Sequence, residues 1–254
     1  MRAFRSLFAL LVGAQVGYSF LPPRHLTAAT RSIVVLMLIA AGAEAVDARG
    51  ARRGATLLLG AGSTGFAVEL AGVATGRPFG HYHYSDKLGP RVAGVPLLAG
   101  AAWAMMSRPA WVVAGLIDRR PAVRVPLAAG ALTAWDVFLD PRMVREGYWS
   151  WPGGGRYEGI PASNFLGWLG TALVIFSSWA TLERAPGESE VAARDDGALA
   201  LYAWTWIGET VANVAVWRRP RVAAAGGAAM GLFAVPALAR RLAGHGPRAL
   251  RRSR

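Results

Sequence analysis

The chain has 254 residues, 54% of them hydrophobic and only 17% charged, with a positive mean hydropathy. A soluble domain carries roughly a quarter charged residues, and the lack of cysteine excludes disulfides, thiolate nucleophiles and cysteine-ligated metals. The formal charge of +13 comes from basic residues, all but Lys87 arginine, that lie between apolar blocks; they read as topology signals and contacts to anionic lipids, and nucleic acid is not an expected partner.

The apolar residues gather into blocks mostly of about 17–25 residues, the length of helix that crosses a hydrocarbon core. The alternating pattern of a membrane barrel is missing. The first block runs from about Phe4 to Leu21 and stops at Pro22-Pro23. Arg2 and Arg5 precede it, but no small-residue cleavage motif follows before the prolines, so a retained helix is expected. The second spans roughly Ile33 to Asp47 and is closed by Arg49, Arg52 and Arg53; the third spans Gly54 to Thr75. The fourth runs from about Val92 to Leu116, where Pro96 and Arg108-Pro109 leave room for a kink. Val123–Leu139, Ala162–Leu182, Ala198–Trp217 and Val222–Leu242 complete the series.

The expected fold is all-α, a polytopic membrane bundle of about eight transmembrane helices, with seven as the alternative. It forms one domain over 1–254, with a flexible polar loop at 183–197 and a basic tail at 243–254. The positive-inside rule places both termini in the cytoplasm of a multi-pass inner-membrane protein. Gly60, Gly62 and Gly65, and later Gly226, Gly227 and Gly231, are expected to allow close helix contact.

A charged side chain in a bilayer core costs at least ~2.5 kcal/mol, so carboxylates inside these blocks need a reason to be there. With alternating crossings, Glu69 lies about 9 Å below the outer end of its helix, Asp136 about 7 Å and Glu209 about 12 Å. Asp140 stands one turn beyond Asp136 on the same face. Glu44 and Asp47 lie near the opposite end, where pairing with arginine is expected.

Two loops at the outer end are dense in aromatic residues, with Gly and Pro fixing the backbone between the rings. One runs from Gly76 to Pro96 and contains Phe79, Tyr82 and Tyr84. The other runs from Asp140 to Trp168 and contains Trp149, Trp151, Tyr157 and Asn164. An interfacial aromatic belt accounts for some of these rings, but not for so many Gly and Pro residues in two loops on one side. His81-x-His83 supplies two imidazoles and no third ligand, so no metal is expected. Phosphate-binding loops, nucleophile triads and zinc-protease motifs are missing.

The stretches Pro-Phe-Gly-x-Tyr-x-Tyr (78–84), Leu-Gly-Pro (88–90) and Gly-Val-Pro (94–96) resemble the family of integral-membrane carotenoid biosynthesis proteins. So do Asp136, Leu139-Asp140-Pro141, Gly147, Trp149-x-Trp151, Tyr157-x-Gly159-Ile160-Pro161, Asn164-Phe165 and Gly167-Trp168. Glu158 and Ala162 depart from the family pattern, the first standing where an aromatic is usual. The family includes hydratases that add water to the acyclic ends of carotenoids, among them that of the bacterioruberin pathway. The resemblance implies a carotenoid substrate drawn from the bilayer, membrane lipids as surroundings, and other carotenoid biosynthesis enzymes as candidate partners.

Such a reaction needs no cofactor. A carboxylic acid kept protonated by apolar surroundings protonates the less substituted alkene carbon, and water captures the tertiary cation. Asp136 or Glu69 suits the acid, and Asp140 with Asn164 suits the positioning of water. Trp149, Trp151, Tyr82 and Tyr84 suit a cation-stabilising wall, with Phe79, Tyr157 and Trp168 completing the substrate-binding set. A related cyclase or isomerase shares the cation and differs in whether water is admitted. A non-catalytic carotenoid-binding or transport protein is the other alternative; inverted repeats, which a transporter would favour, are missing.

Overall fold

The computed structural model describes residues 2–182 and 195–244. Most of the polar loop at 183–197 and of the basic tail at 243–254 lies outside the described residues. The described chain folds into eight helices: α1 (Arg2–Tyr18), α2 (Pro23–Arg49), α3 (Ala51–Thr75), α4 (Leu97–Ile117), α5 (Pro121–Arg145), α6 (Ala162–Leu182), α7 (Asp196–Ala215) and α8 (Pro220–Gly244). Five of them, α2, α3, α5, α6 and α8, are long and apolar enough to cross a membrane. Helix α4 is the buried axis of the bundle, with every residue from Trp103 to Ala114 shielded. Protein partners rather than lipid set its composition. The architecture is an all-α bundle of a multi-pass membrane protein.

Contacts between connections show that the helices alternate in direction. The strand β1 (His83–Tyr84), after α3, pairs antiparallel with β4 (Trp149–Ser150), after α5. At the same end Tyr18, closing α1, donates to Glu146 at 3.0 Å, and Arg219, between α7 and α8, binds Glu158 at 2.7 Å. At the opposite end Arg53 of α3 donates to the Leu182 carbonyl, and Arg241 of α8 pairs with Asp196 at the start of α7.

Three boundaries differ from the pattern of apolar residues. Helix α2 starts at Pro23, ten residues before Ile33, because proline at the first helical position is already set to helical φ. Helix α4 starts at Leu97, because Arg91–Val92 (β2) and Val95–Pro96 (β3) form a small ribbon ahead of it. Helix α5 runs through Pro141 to Arg145 instead of ending at Leu139. Pro141 has no N–H to give Val137, four residues earlier. The Tyr157 hydroxyl, returning from the following loop, donates to that Val137 carbonyl at 3.0 Å, and Arg219 holds the Pro141 carbonyl at 3.0 Å.

Burial, and next the Glu158 carboxylate, push the Tyr157 phenol up to about 12, so it stays a donor through the neutral range. Tyr157→Phe keeps the ring against Phe165 and removes only this bond. The expected stability loss is about 1 kcal/mol, read as a lower apparent melting temperature in detergent; an unchanged transition would mean that the helix passes Pro141 without this help.

Five of the six glycines expected at helix contacts do face close neighbours. A Cβ on Gly65 would lie 2.1 Å from the Trp103 ring, and one on Gly226 would lie 2.6 Å from Phe138. Gly62, Gly227 and Gly231 have contacts at 3.1 to 3.2 Å, whereas Gly60 faces open space. Glu44 pairs with arginine as expected, but the partner is Arg108 of α4 rather than a neighbour on α2. The contact is bidentate along one guanidinium edge, Nε and Nη2 each donating to a Glu44 oxygen, and Nη2 also reaches Asp195 at 2.9 Å.

Candidate active site

Helix α3 carries Glu69 on its buried face, 5% exposed. The helix ends at Gly76, whose φ of 73° is the left-handed conformation that reverses the chain at low cost. The reversal folds the 77–84 segment back over α3 and α6. Phe79 packs where α6 has Gly167 and α3 has Gly72; a Cβ at either would come within 2.8 Å of its ring. Tyr82 and Tyr84 then deliver their hydroxyls to Glu69 Oε2, that of Tyr84 at 2.8 Å, while Trp103 Nε1 of α4 donates to Oε1 at 3.2 Å. Burial, and next the Glu69 carboxylate, push both phenols up, so they remain donors.

Helix α5 supplies Asp136 and Asp140, 0% and 2% exposed and one turn apart. Asn164, in the first turn of α6, bridges them: its Nδ2 donates to Asp136 Oδ2 at 2.8 Å and to Asp140 Oδ2. Trp149 Nε1, on β4, donates to Asp140 Oδ1 at 3.0 Å. Both oxygens of Asp140 thus accept from N–H donors. Asp136 Oδ1 is buried with no hydrogen-bond partner among the described residues.

These groups border a small cavity of about 40 Å³ under the β1–β4 ribbon. Of the residues singled out from the sequence, Glu69, Asp140, Asn164, Phe79, Tyr82, Tyr84, Trp149, Trp151 and Trp168 line it. Asp136 stands behind Asp140 and is not in the wall. Tyr157 is not in the wall either; it serves Val137, as described above. Trp151 stacks on Tyr82 with centroids 5.6 Å apart, and its Nε1 binds the Phe79 carbonyl at 2.9 Å. Trp103 was not legible as a site residue. It stacks on Trp168 at 3.9 Å and binds Glu69, but it lies in a uniformly apolar helix where a tryptophan reads as core. Leu98, Ala99, Ala102, Leu139 and Met143 form the apolar remainder of the wall.

Glu209 does not join Glu69, Asp136 and Asp140. It lies on α7 with Arg142 Nη1 at 3.6 Å.

His81 and His83 are exposed, and among the described residues no three His, Asp or Glu side chains are grouped to hold a metal ion. Replacing both histidines with Gln is expected to leave activity within a few-fold, measured with and without a chelator. Loss that a divalent metal restores would overturn this.

Residues 29–234 match the family model described as carotenoid biosynthesis protein. The chain is similar to the bisanhydrobacterioruberin hydratase of Haloarcula japonica, 32% identical over 109 residues, which is 41% of this chain and 37% of that protein. The aligned region therefore spans well under half of that relative. No solved structure matches.

Proposed function

The chain belongs to the carotenoid biosynthesis protein family, and from that premise we propose that it is a hydratase adding water to the terminal double bond of an acyclic carotenoid. The observation that carries this reading is the Asp136–Asp140–Asn164 cluster set against an aromatic cavity at one end of a membrane bundle. A polyene end group enters that cavity while the remainder of the chain stays among the helices and lipid.

Hydrogen-bond bookkeeping distributes the roles. Asp140 already accepts at both oxygens, so the shared proton sits on Asp136 and passes through Asp140, which faces the cavity. The proton adds to the less substituted alkene carbon and leaves a tertiary cation. Trp149, Trp168, Trp103 and Tyr84 offer ring faces to it, and Glu69 places a negative charge across the cavity. A water held by Asp140 and Asn164 adds to the cation. Its surplus proton returns to the aspartate pair, so alkene and water become a tertiary alcohol and the acid is regenerated.

Expression in a lycopene-producing host tests the reading. Mass spectrometry should find pigments heavier by one water per modified end. New pigments of unchanged mass would instead mark a cyclase or isomerase, and unmodified pigment bound to the protein would mark a non-catalytic binder.

We further propose that both termini are cytoplasmic and that the cavity opens toward the outer face of the inner membrane. Reporter fusions after residue 250 should report inside and fusions near Pro152 outside. A Pro152 fusion reporting inside would invert the orientation.

A further inference from the structure

A second cavity, of about 320 Å³, lies between α1 and α7. It has no part in the chemistry proposed above. Its sides are apolar, and Val16, Phe20, Ile207 and Val211 line it while remaining about half exposed or more, so it opens sideways to lipid. Its polar end is built from Arg142 and Glu209. The Arg142 guanidinium is held between the rings of Tyr18 and Trp217, at 4.6 and 4.5 Å. It binds Glu146 at 3.2 Å and stands 3.6 Å from Glu209.

Helix α5 is the wall between the two cavities. At about 100° per residue, positions two apart point to nearly opposite sides. Asp140 faces the aromatic cavity and Arg142 faces this groove.

The polar end is under-satisfied in a specific way. Arg142 is too far from Glu209 for a good hydrogen bond, and Glu209 Oε2 has no partner among the described residues. One cation there stands between two carboxylates, so the end has no positive charge left over. A phosphate headgroup would meet Glu209 and Glu146 with its charge unbalanced. A hydrocarbon would leave the carboxylate oxygen without a donor, which is costly in apolar surroundings. A neutral hydroxyl supplies the missing donor without adding charge.

We propose that this groove is a second, non-catalytic binding site for a long apolar molecule that ends in a hydroxyl group. The alcohol made by hydration belongs to that class, and its identification as the natural occupant rests on the hydratase reading. The groove's preference for a hydroxyl does not. Product leaving the aromatic cavity would be captured on the far side of α5 and kept from re-entering.

Because the chain has no cysteine, Val211→Cys places a single thiol in the groove. It is combined with Asp140→Asn so that no probe is converted during the measurement. Protection of the thiol from a maleimide is titrated in nanodiscs with three probes: an acyclic polyene bearing one tertiary hydroxyl, the same polyene without it, and phosphatidylglycerol. The alcohol should half-protect at about a tenfold lower concentration than the hydrocarbon, the value of one hydrogen bond to a charged group. Glu209→Ala should remove that difference, and Glu209→Gln, which keeps the shape and an acceptor, should retain part of it.

Equal protection by alcohol and hydrocarbon overturns the proposal. So does a preference that survives Glu209→Ala, or phosphatidylglycerol protecting as well as the alcohol. The readout is binding alone, so a hydroxyl preference in a protein that adds no water would sink the hydratase reading and leave the groove standing.

Discussion

Asp136→Asn is expected to leave a folded, carotenoid-binding protein whose hydration rate has fallen at least ~100-fold, the lower range for removal of a general acid. The substitution keeps the shape of the side chain and an oxygen for Asn164, whose Nδ2 stands 2.8 Å from Asp136 Oδ2. It removes the acid that the proposed mechanism assigns to the aspartate pair. Asp140→Asn should cost as much, because it interrupts the path between Asp136 and the cavity that Asp140 lines. The pair acts as a unit, so the double variant should be little worse than either single one. Turnover is measured in isolated membranes, and binding is measured by pigment retained on purification. Near-normal turnover in both single variants would make the two aspartates structural and the acid mechanism wrong.

How much of this was legible without coordinates depends on the range of the interaction involved. The apolar blocks were legible because crossing a bilayer sets a length and a composition that each block shows locally. Asp136 and Asp140 stood out because carboxylates inside such a block are expensive and their spacing places both on one face, and Asn164 stood out with the second aromatic loop and the family motif. The continuation of α5 past Pro141 was not legible. The donor that replaces the missing N–H comes from Tyr157, sixteen residues later, through a loop with no period to read. Trp103 was hidden for a different reason. Its role depends on Glu69, 34 residues earlier in the chain, and on Gly65, which makes room for its ring. Asp136 and Tyr157 show the limit in the other direction. Both were expected in the site, but the packing shows that Asp140 lines the cavity while Asp136 does not, and that Tyr157 supports α5.

Glu69→Gln is the second large effect, and it separates the two carboxyl sites. Tyr82 and Tyr84 both donate to Oε2 and Trp103 donates to Oε1, so Glu69 is surrounded by donors and faces no acceptor to which it could pass a proton. In the proposed mechanism it acts as a fixed negative charge, pre-oriented by three neighbours. Such charges act where charge develops in the transition state, and losing one costs about 10²–10³ in rate. Glutamine preserves the volume, removes the charge and turns one oxygen into a donor that meets the donors already there. The predicted variant binds carotenoid, turns over at least ~100-fold more slowly, and keeps the aspartate pair intact. Tyr84→Phe removes one of the three donors and leaves the charge, so its loss should be smaller, about tenfold for one hydrogen bond to a charged group. If Glu69→Gln is inactive while Asp136→Asn turns over normally, Glu69 is the acid and the roles are exchanged. If Glu69→Gln is as active as the parent, the cation is stabilised by the aromatic faces alone.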